Sequence, residues 1–378
     1  MSNLKVEKLK PRVSSQHNIF LTSTRTPIDA KVEINWFLIQ FFTNCSLKSK
    51  ILWNSTLITL IVIPVIIALS KQKFSFETNL DRILTLNASS EYLFLFYITL
   101  FHQWTFRKSV VDQINQLWSN INLTANQHLK HRLLRERSTF VILALAFISF
   151  GLLSKITSEE YQFVDWISIL KSVFSLANRL AFGIFYCFLH LQFLMEMVIL
   201  ITAAFDHVNH LIELQVENGP TLNEIKSIRR LYSDIVQLTD YFAESLKIFV
   251  TMIYLKTTYL IVSLSYTTFV SGYTVSKTYW MALAYFTGPI IILILTFRII
   301  KVNISAYSSF DDLYSLTQCA TTKEMKFELL MFIHRVARND VGLKFCKSTL
   351  IGPNFFSTLL TICIASFFVG IALILQSN

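Results

Sequence analysis

The sequence is poor in the residues that interrupt helices: only 8 of its 378 positions are glycine and only 6 are proline. Charged side chains are also scarce, at 15% of the chain, compared with about 25% in soluble domains. No alternating strand pattern is visible, and turn residues are few. We therefore predict an all-α chain that is helical nearly throughout.

The residue patterns of common enzyme sites are missing as well. The sequence has no His-Glu-x-x-His, no glycine-rich phosphate loop and no Gly-x-Ser-x-Gly. The cysteines suit neither a disulfide framework nor the ligand spacing of a zinc site; they are Cys45, Cys187, Cys319, Cys346 and Cys363. We expect no enzymatic activity, no cofactor and no bound metal.

No cleavable signal peptide is visible, because the first thirty residues are polar and basic and contain no apolar core. The net charge of +10 would suggest a nucleic-acid partner if the protein were soluble. Basic loops at the anionic cytoplasmic face of a membrane explain the charge better. We expect no nucleic-acid binding, and a cytoplasmic N-terminal segment over residues 1–50.

Long apolar blocks are the main feature that the sequence does have. Hydrophobic residues make up 53% of the chain, and seven blocks can be stretched to the roughly 20 residues that a bilayer requires. They predict a polytopic domain over residues 51–378, with spans at about 51–69, 84–104, 139–153, 180–201, 248–270, 280–300 and 355–376. We expect a multi-pass protein of the plasma membrane.

Lysine and arginine are divided unequally between the two sides of the predicted membrane domain. One side carries 25 of these residues and the other carries seven, while Lys247 and Lys256 lie in or beside the fifth span. The positive-inside rule places the richer side in the cytoplasm. The N-terminus is then inside and the C-terminus outside, which is the inverse of a G-protein-coupled receptor.

Two stretches on the predicted cytoplasmic side have apolar residues at helical spacing. The first leads into the fifth span and consists of Ile225, Ile228, Leu231, Ile235, Leu238 and Phe242. The second precedes the last span and consists of Phe327, Leu330, Met331 and His334. We predict that both form amphipathic helices, which extend the bundle into the cytoplasm and pack there.

The last span has two unlike faces when it is drawn as a helix. One face is mostly small or weakly polar and consists of Thr358, Ile362, Ala365, Val369, Ala372, Leu373 and Gln376. The other is bulky and apolar and consists of Phe356, Leu360, Cys363, Phe367, Ile371 and Ile374. A helix that is in contact with lipid on all sides does not require two different faces. Such a helix either packs closely on another helix or lines a water-filled path.

Several short stretches near the C-terminus match a known family pattern. They are Ile333-His334-Arg335, Phe345-Cys346 and the run from Phe355 to Leu360. The pattern closes with Thr-Tyr, four hydrophobic residues and Gln-Phe, and this chain retains the hydrophobic spacer and Gln376. In these stretches the sequence resembles the insect gustatory receptors, which belong with the odorant receptors to the insect chemoreceptor superfamily.

The resemblance implies a homo- or heterotetrameric ligand-gated cation channel, in which four copies of the last helix surround a pore. The implied pore-lining residues are Gln376, Leu373, Val369, Ala365, Ile362 and Thr358. The amide of Gln376 would replace part of a cation's hydration shell, and a ring of four Leu373 side chains would close the path by dewetting. This face has no acidic residue, so we expect loose selectivity among cations.

The resemblance also implies an outward-opening pocket for a small organic ligand among spans two to six. Aromatic residues at suitable depth are the candidates: Tyr97, Phe150, Tyr259, Tyr266, Trp280 and Tyr285. The favoured function is a gustatory receptor opened by a small organic tastant. The alternatives are an odorant-receptor subunit of the same superfamily and a metabotropic seven-helix receptor. Cations, membrane lipid and related receptor subunits are the expected partners.

Overall fold

The structure is a computed structural model that describes residues 55, 59, 127–158, 190–270, 275–346, 349–361, 364, 365 and 368. Its helices are α1 (Gln127–Ser158), α2 (Gln192–Asn218), α3 (Leu222–Val270), α4 (Val275–Tyr307), α5 (Phe310–Cys319) and α6 (Lys323–Ala337). Two short strands follow, β1 (Lys344–Phe345) and β2 (Thr349–Leu350). A last helix, α7, covers residues 353–361, and residues 364, 365 and 368 are also helical. The prediction of a mostly helical chain is confirmed.

Three consecutive residues form the turn between α2 and α3. Gly219 has a φ of 87°, and its backbone N–H donates to the carbonyl of Gln215 at 3.1 Å, which closes α2. Pro220 follows and cannot extend that helix. Thr221 then accepts from the backbone N–H of Glu224 at 3.4 Å and donates to its carboxylate at 2.5 Å. This capping box starts α3, so the two helices form an antiparallel hairpin.

The helix α3 is unbroken over 49 residues, which is about 74 Å at 1.5 Å per residue. It contains the predicted fifth span, residues 248–270, and the amphipathic stretch before it. In that stretch the predicted apolar residues Ile225, Ile228, Ile235, Leu238 and Phe242 are buried, and Leu231 is partly buried against them. The prediction of an amphipathic, packed helix is therefore confirmed here.

The helix α4 lies at the centre of the described bundle, where it contacts α1, α2 and α3. Directional hydrogen bonds join its C-terminal end to α2. The Asn209 side chain donates to the carbonyl of Ser305 at 2.8 Å and to the hydroxyl of Ser308 at 2.7 Å. The Ser305 hydroxyl in turn donates to the carboxylate of Asp206 at 2.8 Å. These bonds fix the axial position of α2 against α4, because each requires a narrow range of distance and angle.

Helix is also found over the other predicted spans that the structure describes. It covers residues 139–153 and 280–300 completely, and residues 180–201 from position 190 onward. Apart from residues 55 and 59, the first two predicted spans lie outside the described residues. By length and composition, two described helical stretches are sufficient to cross a membrane, Gln192–Asn218 and Ile290–Cys319, and Ser138–Phe150 is a shorter apolar helix.

The helix α6 exists as predicted, but it buries a different face. Its core residues are Met325, Leu329, Phe332 and Val336, and it packs on α3 and α5. The predicted packing residues Phe327, Leu330 and Met331 are 64%, 58% and 49% exposed, and His334 is exposed as well. The prediction that these four residues pack is wrong within one chain. The reason is that α6 carries apolar side chains on two faces and only one of them meets α3 and α5.

The segment between α6 and α7 is not helical, which corrects the prediction of helix nearly throughout. Strands β1 and β2 pair antiparallel there, with Lys344 opposite Leu350. The buried side chain of Asn303, on α4, holds the start of this segment. Its amide nitrogen donates to the side-chain oxygen of Asn339 at 2.8 Å and to the carbonyl of Val341 at 3.1 Å. The connection that leads into α7 is therefore attached to the central helix.

Candidate functional site

The last helix packs on its own chain with one narrow face. Phe355, Phe356 and Leu359 are partly buried against the core, and at 100° per residue they lie within about 100° of one another. Two predicted pore-lining residues, Thr358 and Ala365, are exposed on the flank of these contacts next to Phe355. Leu360, Ile364 and Phe368 are exposed too. Ile362, Val369, Leu373 and Gln376 lie outside the described residues.

The predicted ligand-binding aromatics are distributed over three helices or are not described. Phe150 lies on α1 and is partly exposed. Tyr259 and Tyr266 are in α3, and Trp280 and Tyr285 are in α4, but the positions of these four side chains are not described. Tyr97 lies outside the described residues. Phe150 is the one candidate whose side chain the structure describes, so the pocket stays a prediction.

The first turn of α7 contacts a cluster of aromatic rings that the sequence analysis did not single out. Tyr254 of α3 is 2% exposed. Its ring is edge-on to Phe355 at a centroid distance of 5.3 Å and edge-on to Phe345 of β1 at 6.2 Å. Phe345 and Phe355 also meet each other at 5.4 Å. These are favoured distances for aromatic pairs, so α3, β1 and α7 share one buried contact.

A buried hydrogen bond joins the same tyrosine to α4. The hydroxyls of Tyr254 and Thr296 are 2.7 Å apart. The Thr296 hydroxyl also donates to the carbonyl of Ile292, one turn earlier, at 2.7 Å. A threonine hydroxyl has a single proton. With that proton on the Ile292 carbonyl, Tyr254 is the donor in the bond between the two helices.

The two residues after Thr296 contact two further helices. Phe297 lies against Phe356 of α7, with ring centroids 5.0 Å apart. Arg298 donates to the Glu136 carboxylate of α1 at 2.5 Å, and both side chains are largely shielded, at 28% and 13% exposed. Successive side chains on a helix differ by 100° in direction. Residues 296–298 of α4 therefore contact α3, α7 and α1 in turn.

The depressions that the described residues line include two that contain none of the predicted ligand-binding aromatics. The first, between α1, α2 and α4, has a volume of about 20 Å³, room for about one water; it is lined by Glu136, Thr139, Phe140, Leu143, Met195, Ile291 and Ile294. The second is an open depression of about 330 Å³ on the predicted cytoplasmic helices, lined by Lys226, Lys323, Glu324, Phe327 and Glu328. Its charges are mixed in sign, so it favours neither cations nor anions.

Tyr232 and His207 are among the titratable groups of the predicted cytoplasmic part whose pKa values are shifted. Burial raises the pKa of Tyr232 to about 12, so the phenol stays neutral and donates to the carbonyl of Ala306 at 3.2 Å. Burial, together with the nearby His210, lowers the pKa of His207. Both shifts follow from the cost of placing a charge in a poorly solvated site.

Sequence reasoning missed Tyr254, Thr296 and Arg298 for a common reason. Their partners lie 42 and 162 positions away, and no spacing rule connects helices so distant in sequence. The available signal was weak: Arg298 is a cation at the end of an apolar block, and such a residue needs a partner. Glu136 lies at the start of another predicted span, but no pattern paired the two residues.

Comparison with known proteins gives a fold but no sequence family. No protein-family model matches the sequence, and no curated protein matches it. Solved structures do match the chain's fold, including two of one receptor. The insect olfactory receptor OR5 from Machilis hrabei in complex with eugenol is 10% identical, covers 88% of this chain and 91% of that chain, and has a TM-score of 0.63. A second structure of the same receptor is 11% identical, covers 86% of this chain and 88% of that chain, and also has a TM-score of 0.63. The chain therefore has the fold of an insect olfactory receptor.

Proposed function

We propose that this chain is a subunit of a ligand-gated cation channel of the insect chemoreceptor superfamily. The observation that carries the proposal is the fold shared with olfactory receptor OR5 over 88% of the chain. That receptor was solved with eugenol, so a small organic molecule is the proposed class of ligand. The ligand opens the channel by binding the open state more tightly than the closed state.

In this proposal the chain crosses the plasma membrane seven times, with its N-terminus inside and its C-terminus outside. The distribution of lysine and arginine supports this orientation. Four copies of the last span surround the pore, with the face of Thr358 and Ala365 turned towards it. The exposure of both residues in the single chain is compatible with this arrangement. The amide ring of Gln376 and the leucine ring of Leu373 form the outer mouth and the gate.

The exposed apolar face of α6 supports assembly into a tetramer. We define this face by Phe327, Leu330 and Met331, which are about half to two-thirds exposed. An apolar cluster on a predicted cytoplasmic helix is costly in water and marks a contact with another protein. A neighbouring subunit, identical or related, covers it in the proposed assembly.

The gustatory and odorant branches are both supported by specific observations. Gln376 and the hydrophobic spacer before it favour a gustatory receptor opened by a tastant. The shared fold with an olfactory receptor supports an odorant-receptor subunit equally well. The two differ in what they require, because an odorant-receptor subunit needs a partner subunit to conduct. We favour the gustatory branch.

Electrical recording tests the proposal. The chain is expressed alone, and in parallel with a related receptor subunit, while eugenol and a panel of sugars are applied. We expect a cation current that persists when G proteins are blocked, which also excludes a metabotropic receptor. An epitope added after Asn378 and stained on intact cells verifies surface delivery and an external C-terminus. Surface-stained cells that pass no current under any of these conditions would contradict the proposal.

A further inference from the structure

We propose that residues 296–298 of α4, together with Tyr254 of α3, form the junction that passes movement of the helical bundle to the last helix. We call these four residues the coupling junction. The inference rests on the proposed channel function, since movement of α7 matters only if α7 lines a pore. It assigns Thr296 and Tyr254 as positioning residues, which act through α7 and touch neither ligand nor ion.

A chain of hydrogen bonds runs through the junction. Tyr254 donates to Thr296, and Thr296 donates to the carbonyl of Ile292, at 2.7 Å in each case. Both hydroxyls are buried, with the residues 2% and 1% exposed, so neither has water as a ready replacement partner. Breaking the bond costs more than it does at a surface. The bond therefore makes α3 and α4 move together at this level.

The ring of Tyr254 also lies against the start of α7. A displacement of Tyr254 along or across α3 moves a ring that is packed edge-on against Phe355 and Phe345. Close-packed contacts of this kind transmit small displacements because they leave no free space to absorb them. Movement of the pair α3–α4 therefore reaches the first turn of α7 directly.

Phe297, the residue after Thr296, makes a second, independent contact with α7. Phe297 meets Phe356 of α7 at 5.0 Å, one residue further along α7 than Phe355. The next residue, Arg298, forms an ion pair with Glu136, which ties the same turn of α4 to α1. The junction thus joins the three helices α1, α3 and α4 to one turn of α7.

The loop before α7 is itself attached to α4. Gly352 lies beside the buried Asn303, and a Cβ added there would be 3.7 Å from the Asn303 side-chain oxygen. The carbonyl of Gly352 accepts from the backbone N–H of Phe355 at 3.0 Å. The base of α7 is therefore fixed to α4 through the loop and through Phe297. Because Tyr254 is bonded to α4 as well, a movement of the α3–α4 pair carries the first turn of α7 with it.

The test measures the exposure of α7 directly and needs no ligand. Thr361 is exposed on α7, and Thr361→Cys provides a thiol there. Its reaction rate with a maleimide, corrected by the chain with Thr361 intact, reports the position of the helix. We expect Tyr254→Phe and Thr296→Val each to change this rate in the same direction by about two- to tenfold, the size of one hydrogen bond. The double variant changes it no further than the larger single change.

Two matched variants separate this role from simple packing. Thr296→Ser keeps the hydroxyl and restores the rate of the original chain, whereas Thr296→Val keeps the volume and does not. Thr239→Val is the control, because Thr239 is equally buried but bonds only the carbonyl of Ile235 in its own helix. It leaves the rate at Thr361→Cys unchanged. A normal rate in both Tyr254→Phe and Thr296→Val, or multiplicative effects in the double variant, would overturn the coupling junction.

Agonist-free current in the same variants keeps this inference distinct from the proposed function. We expect the current to change in parallel with the labelling rate. Coupled labelling rates in a surface-expressed chain that passes no current would leave the junction standing and remove the channel assignment. Robust currents, together with labelling rates that no junction variant changes, would leave the channel assignment standing and remove the coupling junction.

Discussion

Arg298 and Glu136 form an ion pair between α4 and α1 at 2.5 Å, although the two residues are 162 positions apart. Each is largely shielded by the chain. Removing one partner leaves the other charge poorly solvated and unpaired. We expect Glu136→Gln or Arg298→Gln to lower the free energy of unfolding by about 1–3 kcal/mol, measured by thermal unfolding in detergent micelles.

The control for the ion pair is Glu244→Gln. Glu244 pairs with Lys247 one turn away on α3, and its side chain is 71% exposed. Exposed pairs of this kind contribute little, so we expect a small effect. The double variant Glu136→Gln/Arg298→Gln is expected to cost less than the sum of its single variants. Additive losses would show that the two charges are not coupled.

Asn303 is expected to be a stability residue, although the sequence around it, Asn-Ile-Ser, matches a glycosylation site. Its amide makes two hydrogen bonds to the loop before α7. Asn303→Ala leaves the carbonyl of the buried Val341 without this partner and should cost about 1–3 kcal/mol in the same unfolding assay. Asn218→Ala is the control, because the exposed Asn218 bonds only Leu214 of its own helix. Equal effects of the two variants would contradict the prediction.

The exposed apolar face of α6 is expected to be needed for the assembly of subunits but not for folding of the single chain. Phe327→Asp places a charge on a side chain that is 64% exposed in the single chain, so the melting temperature should change little. The same change should break contacts between subunits and reduce the particle mass measured by native mass spectrometry. Phe332→Asp is the contrasting variant, because Phe332 is fully buried and should unfold the chain. An unchanged assembly in Phe327→Asp would exclude this face from the interface.

His207 predicts a pH dependence of stability with a definite sign. Its pKa in the folded chain is lowered from 6.5 by burial and by His210, so the unfolded chain binds a proton more readily. Stability is therefore complete above pH 6.5 and falls as the pH drops from there towards the folded pKa. His207→Gln should reduce this slope in melting temperature. His334→Gln, at an exposed position on α6, should retain it.

The predicted pore face is tested by permeation. Leu373→Ser should raise the agonist-free current, because a polar ring no longer excludes water from the gate. Ala365→Cys should make the current sensitive to a water-soluble thiol reagent. Ile364→Cys is the matched variant on an adjoining exposed side of α7, and should be less sensitive. If the agonist-free current is unchanged in Leu373→Ser and the thiol reagent has no effect on Ala365→Cys, the last helix does not line the ion path.

The parts of the fold that the sequence predicted are those set by local periodicity. The apolar spacing from Ile225 to Phe242 identified both a helix and its buried face, because only one face of that stretch is apolar. The apolar spacing in α6 predicted the helix correctly but not the face that is buried. There, Leu329 and Phe332 have apolar neighbours at Leu330 and Met331, so periodicity alone does not select which pair meets α3.

The coupling junction was not predictable in this way. Thr296 and Tyr254 are ordinary residues of an apolar span, and their bond exists only because α3 and α4 pack in a particular register. The candidate pore residues differ again, since they were inferred from a resemblance at the C-terminus. Of these, the structure describes only Thr358 and Ala365, and it shows them exposed.

The length of α3 has a mechanical consequence. The helix contains neither proline nor glycine between Leu222 and Val270, and these are the residues at which helices most often kink. It therefore behaves as a torsionally stiff rod. A twist about its axis at the end near Val270 arrives with nearly the same angle at Tyr254, and continues to the hairpin at Gly219.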